Sequence, residues 1–417
     1  MNMRIQLERK HKNMNRSKII YLIALTLIIN LAIITNASAK DSEDKEVKSA
    51  KNQIERESEI EMIDSKLRFK RFSYNSGLNF TYPDAVRGIY VTGNSAGGSR
   101  MDELLNLVDT TDLNAMVIDI KDDFGRLTYK VDEDSPYAEI ADGYIDDLPG
   151  LLKVLEEKEI YPIARVVVFK DSAFAKKHPE YSFLENGKVW KNNRDEAFVN
   201  PFEKKVWEYN LDIAKEAAKM GFEDIQFDYV RFPEGFETRD KSLEYTLGDY
   251  KDSDLDDVQK RVEAVTDFVK YAREELAYYD VDVSIDIFGY AATIPEAPGI
   301  GQNFSKISEN TDVISSMIYP SHWTSYFGIA VPDREPYNVI NEYSKVENEV
   351  LSKLENKPIS RPWIQDFSAP WLYNGTGKVY GKADVEAQIK ALSENGINEY
   401  LIWNPSNRYS KGVNYIQ

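Results

Sequence analysis

From Val86 onward, short runs rich in Val, Ile and aromatic residues alternate with longer stretches whose apolar positions recur at helical spacing. Eight runs predict strands, over Arg87–Thr92, Ala115–Lys121, Tyr161–Phe169, Asp224–Tyr229, Val281–Phe288, Asp312–Ile318, Ile359–Asp366 and Glu399–Trp403. Between them, helices are predicted near Arg100–Val108, Leu148–Lys158, Glu203–Met220, Leu255–Tyr279, Phe304–Ser308, Tyr337–Leu354 and Lys382–Glu394. Strands separated by helices form parallel sheets, because a parallel crossover needs a covering element. A doubly wound open sheet shares this rhythm, but a count of eight closes most simply as an α/β fold of the (β/α)8 barrel type. The longest connections, Lys170–Asn200 and Phe232–Asp254, follow strands three and four, where such a barrel carries substrate loops.

Alternation within the strands separates two faces. Strand two places Met116, Ile118 and Ile120 on one face and Val117, Asp119 and Lys121 on the other. Strand three sets Arg165 with Ile163 and Val167. Strand four directs Ile225 and Phe227 outward with Gln226 and Asp228 inward, and strand five does the same with Val283, Ile285 and Ile287 against Ser284 and Asp286. Charges inside a barrel are costly unless paired or used, and these lie late in their strands, at the catalytic end. Asp228 and Asp286 end consecutive strands. Adjacent strands run about 4.8 Å apart, so two such carboxyls approach the separation of about 5–5.5 Å used by retaining glycosidases. One acts as nucleophile and the other as acid; a wider, inverting arrangement is the alternative. Asp119, Lys121, Arg165 and Arg231 are expected to orient the substrate or the carboxylates. Aromatic residues make up 12% of the chain. Tyr90, Tyr229, Tyr319, His322, Trp323 and Trp403 near strand ends, with Gln365, Asp366 and Asn404, are the expected sugar-binding set.

The N-terminus adds a compartment. Arg9, Lys10, Lys12, Arg16 and Lys18 precede an apolar run from Ile19 to Ile34 that ends in Ala37-Ser38-Ala39. This pattern reads as a signal peptide over residues 1–39, followed by a charged tether over 40–79 and the barrel over 80–417. A membrane contact arises only if the segment stays uncleaved as an anchor; either way the rest is secreted or otherwise extracytoplasmic. Without cysteine, stability rests on a packed core, and thiol chemistry is excluded. The net charge is −18. Removal of residues 1–39 leaves 46 basic against 69 acidic residues, a surface that repels nucleic acid and anionic lipid.

Competing signals point elsewhere. Gly93-Asn-Ser95-Ala-Gly97 has the form of a nucleophile elbow, with His322 available as a base, and gives a serine esterase or deacetylase as the alternative. Asp252, Asp254, Asp256 and Glu263 occupy positions of a calcium loop, but Asp257 stands where Gly is required, and a helix start explains them better. His178 and His322 alone cannot build a three-histidine metal site, so no metal or cofactor is expected. An inactive barrel that only binds polysaccharide is a third reading.

Gly88-Ile-Tyr-Val-Thr92, Val117-Ile-Asp-Ile-Lys-Asp-Asp123 and Gln226-Phe-Asp-Tyr-Val-Arg-Phe-Pro233 resemble the bacterial putative glycoside hydrolase family, over about Thr81 to Tyr409. That family looks like a distant relative of the α-amylase-like barrels. The resemblance implies Asp228 as the strand-four nucleophile and a strand-five carboxylate as the acid; Asp286 departs from the Glu usual there. The function implied is cleavage of glycosidic bonds in a cell-wall or extracellular polysaccharide, the expected partner.

Overall fold

The computed structural model describes residues 74–372 and 378–417. Its centre is a closed parallel barrel of eight strands, β1 (Arg87–Val91), β2 (Ala115–Lys121), β3 (Tyr161–Val167), β4 (Asp224–Asp228), β5 (Asp282–Phe288), β6 (Val313–Met317), β7 (Trp363–Gln365) and β8 (Tyr400–Trp403). Each pairs with the next, and β8 returns to β1, which closes the ring. Around it lie α1 (Arg100–Asp109), α2 (Leu148–Glu157), α3 (Lys204–Met220), α4 (Asp257–Leu276), α5 (Phe304–Ser308), α6 (Pro336–Leu351) and α7 (Lys382–Glu394). The fold is the expected (β/α)8 barrel.

Two apolar layers follow from strand alternation. Met116, Ile118, Ile120, Ile225, Phe227, Val283, Ile285 and Ile287 belong to the outer core between strands and helices. Val86, Tyr90, Ala115, Val117, Tyr161, Ile163, Tyr319, Trp363 and Leu401 form a separate cluster inside the barrel. The inner residues beyond this cluster are polar at both ends. At the N-terminal end Asp224 accepts from Ser284 Oγ at 2.6 Å and from Arg361 Nη1 at 2.7 Å, and Arg361 Nε also reaches Glu399 at 2.8 Å. Arg361 sits where the predicted seventh strand is interrupted, because Pro362 lacks an N–H for the ladder and only Ile359–Ser360 and Trp363–Gln365 pair as strand.

Lys121 departs from its expected place. The β2–β3 register runs Asp119 opposite Arg165, then Lys121 opposite Val166, so a bulge inserts one residue and turns Lys121 to the outer side. There its ammonium meets Asp171 at 2.6 Å, the Val167 carbonyl at 2.7 Å and Asn210 Oδ1 of α3 at 3.0 Å, fully buried. It is therefore a structural cation, not a substrate contact. Lys121→Met leaves Asp171 buried without its partner and is expected to cost about 3–5 kcal/mol in chemical denaturation.

The described chain packs from Tyr74, earlier than the expected barrel start at residue 80. The Tyr74 N–H bonds to the Tyr278 carbonyl at 2.9 Å, and Leu78 and Phe80 pack on the outer core. The expected signal peptide and the tether up to residue 73 lie outside the described residues. The insertion after β3 carries a short helix, Ser172–Lys177, and a two-stranded ribbon, Leu184–Glu185 with Lys188–Val189. The insertion after β2, which strand counting passes over, holds Leu127–Tyr129 antiparallel to β2 and a further strand at Ala141–Ile145.

Candidate active site

Because all eight strands run parallel, their C-terminal ends share one mouth, and the late inner residues converge there. The β4–β5 register sets Gln226 opposite Ser284 and Phe227 opposite Ile285, so Asp228 and Asp286 follow at one level on adjacent strands. Arg165 on β3 organises the other side. Its Nη1 donates to Asp119 Oδ1 at 2.7 Å, its Nη2 to Asp123 Oδ1 at 2.7 Å and to Asp228 Oδ2 at 2.6 Å, and its Nε to Asp228 Oδ2 at 3.1 Å. A planar fork is suited to serving three carboxylates at once. Among the described residues Asp228 Oδ1 accepts only the Tyr229 N–H, at 2.5 Å, and Tyr229 holds a left-handed φ of 53° to present it. Asp286 Oδ1 accepts the Trp363 indole N–H at 2.7 Å; no partner among the described residues holds its Oδ2.

The electrostatics divide these acids. Burial first, and next the charge of Asp228, push the Asp286 carboxyl well above the usual range, against partial opposition from Arg165 and the Trp363 hydrogen bond. Asp286 is thus biased toward its protonated form beside an ion-paired Asp228. Burial also raises Asp119, to about 6, although Arg165 and the Tyr90 hydroxyl at 2.5 Å oppose it. For Asp123, burial acts upward, but Arg165 and Lys170 outweigh it and hold the carboxyl below the usual range. Lys170 reaches Asp123 at 2.7 Å, Tyr229 Oη at 2.9 Å and Glu196 at 3.2 Å. The strand pattern missed Lys170 as a site residue because it lies just past the regular alternation; a lone Lys closing an apolar strand was the available signal.

The aromatic set is partly assembled. Tyr90 and Trp403 stack at 3.8 Å, Trp363 meets Trp403 edge-on at 5.4 Å, and Tyr319 lies 6.4 Å from Trp403. Arg165 lies over both Tyr90 and Trp403, at 5.6 and 5.4 Å. Half-buried Trp403 is the ring of this group with an open edge, and exposed His322 stands 5.2 Å from Tyr319. Tyr229 and Arg231 lie together at the rim, the guanidinium 4.8 Å from the ring. Trp323 turns away, packing on Phe327 and on Tyr343 of α6. Gln365, Asp366 and Asn404 are also corrected. Gln365 holds the Ser321 N–H and the Phe367 carbonyl, Asp366 accepts from Ser410, and Asn404 bonds to the Asp366 and Arg408 carbonyls. All three are buried and fasten loops, since strand-end amides satisfy the turning backbone beside them.

The competing motifs resolve locally. Thr92 caps the one-turn helix Gly93–Ala96 and donates to Ser95 Oγ at 3.1 Å, while His322 Nδ1 contacts Ser321 Oγ at 3.1 Å. Gly97 is required by packing, because a Cβ there would lie 1.8 Å from the Tyr144 carbonyl oxygen. Ser95→Ala is therefore expected to keep at least about half of any hydrolytic rate, measured beside the native protein. Asp256 caps α4 by accepting the Gln259 N–H at 2.8 Å, as a helix start requires. Among the described residues no group of acidic or histidine side chains could hold a metal ion.

Residues 88–409 match the family described as putative glycosyl hydrolase domain. No curated protein matches the chain. Among solved structures, the PgaB (BpsB) glycoside hydrolase domain from Bordetella bronchiseptica is 13% identical over 78% of this chain and 95% of its own, with a TM-score of 0.55, a likeness of fold. A hypothetical protein from Ruminiclostridium thermocellum is 32% identical over 48% of this chain and 96% of its own, with a TM-score of 0.41. The glycoside hydrolase domain of PelA from Pseudomonas aeruginosa is 12% identical over 81% of this chain and 100% of its own, with a TM-score of 0.44.

Proposed function

The chain belongs to the putative glycosyl hydrolase domain family and is a glycoside hydrolase; from that premise we propose that it cuts a cell-wall or extracellular polysaccharide with Asp228 as nucleophile and Asp286 as acid. The reading is carried by the shared level of the two carboxyls on adjacent strands, one held by Arg165 and the other pushed toward its protonated form by burial and by Asp228. Asp228 Oδ1 attacks the anomeric carbon as the bond to the leaving oxygen breaks, and Asp286 gives that oxygen its proton. Water then attacks the glycosyl ester, returns a proton to Asp286 and frees Asp228. Retention of anomeric configuration follows. Trp403 would line the sugar subsite, backed by buried Tyr90 and Tyr319, with Arg231 and His322 at its rim. Export of the protein rests on the basic and apolar pattern of residues 1–39, ahead of the charged stretch read as a tether over residues 40–79.

The test is release of new reducing ends from purified wall polysaccharides and exopolysaccharides. Activity is expected to fall as pH rises through the folded pKa of Asp286, because the acid must carry its proton. Asp286→Asn should lose about 100- to 10,000-fold on the polymer yet retain cleavage of aryl glycosides whose leaving phenolate needs no proton, and it should lose the basic limb of the profile. An unchanged basic limb in Asp286→Asn removes it from the acid role.

A further inference from the structure

We propose that the polysaccharide is anionic, and that a carboxylate or phosphate group on it is held by Arg194 and Arg239 in a basic cavity at the rim of the barrel mouth. The inference deepens the glycosidase reading and rests on it for the cavity's purpose, but not for its binding chemistry.

The cavity is built by the two long insertions. Bridging of Leu184 with Glu244 and the Asn200 side-chain bond to the Thr246 carbonyl at 2.9 Å bring them together. Between them lies a space of about 270 Å³ lined by Trp190, Lys191, Arg194, Tyr229, Arg231 and Arg239, with Glu196 and Glu234 as its acids. This volume is near the lower end for ligand cavities and suits one sugar unit with its substituent.

Four cations in one concavity are unexpected on a chain of net charge −18. Their pairing is uneven. Glu196 is engaged by Lys170 at 3.2 Å and by Asn192 at 2.7 Å, Glu234 by Arg231 at 3.1 Å, and Lys191 by Asp195 at 2.9 Å. Arg194 and Arg239 have no acidic partner among the described residues, and both are exposed. The Arg239 guanidinium lies 5.7 Å over the Trp190 ring, which fixes its plane while leaving its donors open. Two such forks match an oxyanion, whereas neutral sugar hydroxyls give no reason for unpaired guanidinium groups. Buried Trp190 and half-buried Tyr229 form the cavity's apolar wall, against which the cations are held. Tyr229 also joins the cavity to the chemistry, since its N–H bonds to Asp228. An anionic unit seated there would lie beside the scissile bond.

The surrounding negative field sharpens the test, because a protein of this charge does not gather on polyanions without a built site. Native protein and the R194Q/R239Q variant are run in gels containing polygalacturonate, its carboxyl-reduced neutral form, or glycerol-phosphate teichoic acid, with mobility referred to polymer-free gels. Retardation by polygalacturonate identifies a carboxylate, and retardation by teichoic acid a phosphate. The neutral polymer is expected to leave mobility unchanged, and the variant to bind about tenfold or more weakly. Retardation that survives in R194Q/R239Q, equal retardation by the neutral polymer, or none by either polyanion overturns the proposal. Turnover is read separately. Cleavage of neutral polymers alone would leave the glycosidase reading standing without this one, and retention without cleavage of any polymer would do the reverse.

Discussion

Asp228→Asn is expected to lower the rate of polysaccharide cleavage by about 10,000-fold or more while the protein stays folded. The substitution is nearly isosteric, and the amide oxygen can take the place of Oδ2 as acceptor for Arg165, with loss of the single bond from the Tyr229 N–H. Arg165 keeps two carboxylates, Asp119 and Asp123, at 2.7 Å each. Stability should therefore change far less than rate. On the proposed mechanism, what disappears is the carboxylate oxygen that forms the ester with the sugar, and among the described residues no neighbouring group replaces it: Asp119 is bound by Tyr90 and Arg165, and Asp286 serves as the acid. Reducing-end release and chemical denaturation, measured together, separate this role from a plug of ion pairs closing the barrel mouth. A plug predicts loss of stability with undiminished turnover per folded molecule. Azide offered to Asp228→Gly sharpens the assignment, because it should attack the anomeric carbon in place of the carboxylate and leave a glycosyl azide of inverted configuration.

The barrel was legible because strand alternation and helical spacing are both imposed by burial on one face, and seven of the eight predicted strands lie within two residues of those formed. The seventh was mistaken in length because Pro362 interrupts pairing while the apolar pattern runs on. Asp119, Arg165, Asp228 and Asp286 were legible for a related reason: a charge at an inner position breaks the apolar code. The same rule misplaced Lys121, since a bulge shifts parity without leaving a mark in residue type. It also favoured Gln365, Asp366 and Asn404, whose polarity serves the turning backbone rather than a ligand. Lys170, Arg194 and Arg239 were not legible as site residues. They sit on insertions, where no period says which way a side chain points, and only the folding of two loops against each other brings Arg194 and Arg239 to one cavity.

Replacing Arg165 by Met should destabilise the barrel by about 3–5 kcal/mol near neutral pH, because it strips the common partner from three carboxylates in a nearly dry mouth. Arg165 is 1% exposed and Asp228 5%, so water does little to replace the lost charge. Only Asp123 retains another cation, Lys170 at 2.7 Å. The pH dependence has a defined sign. In the native protein Asp123 is held below the usual carboxylate range, so its contribution is present above about pH 4 and is lost as pH falls through its folded value. Asp119 is raised to about 6 and does the opposite, so that stability from this group declines as pH rises from about 4 toward 6. Without Arg165, the Tyr90 hydroxyl would be left to oppose the burial of Asp119. Its folded value would climb, and the variant would regain stability on acidification, because protonation removes the uncompensated charge. The gap between native and Arg165→Met proteins should therefore be widest near neutrality and narrow toward about pH 4, as followed by urea denaturation at a series of pH values. Arg165→Lys restores one charge but not the fork, so it should recover part of the stability while Asp228 and Asp119 compete for a single ammonium. A pH-independent gap would mean that Arg165 acts through packing against Tyr90 and Trp403 rather than through its carboxylates.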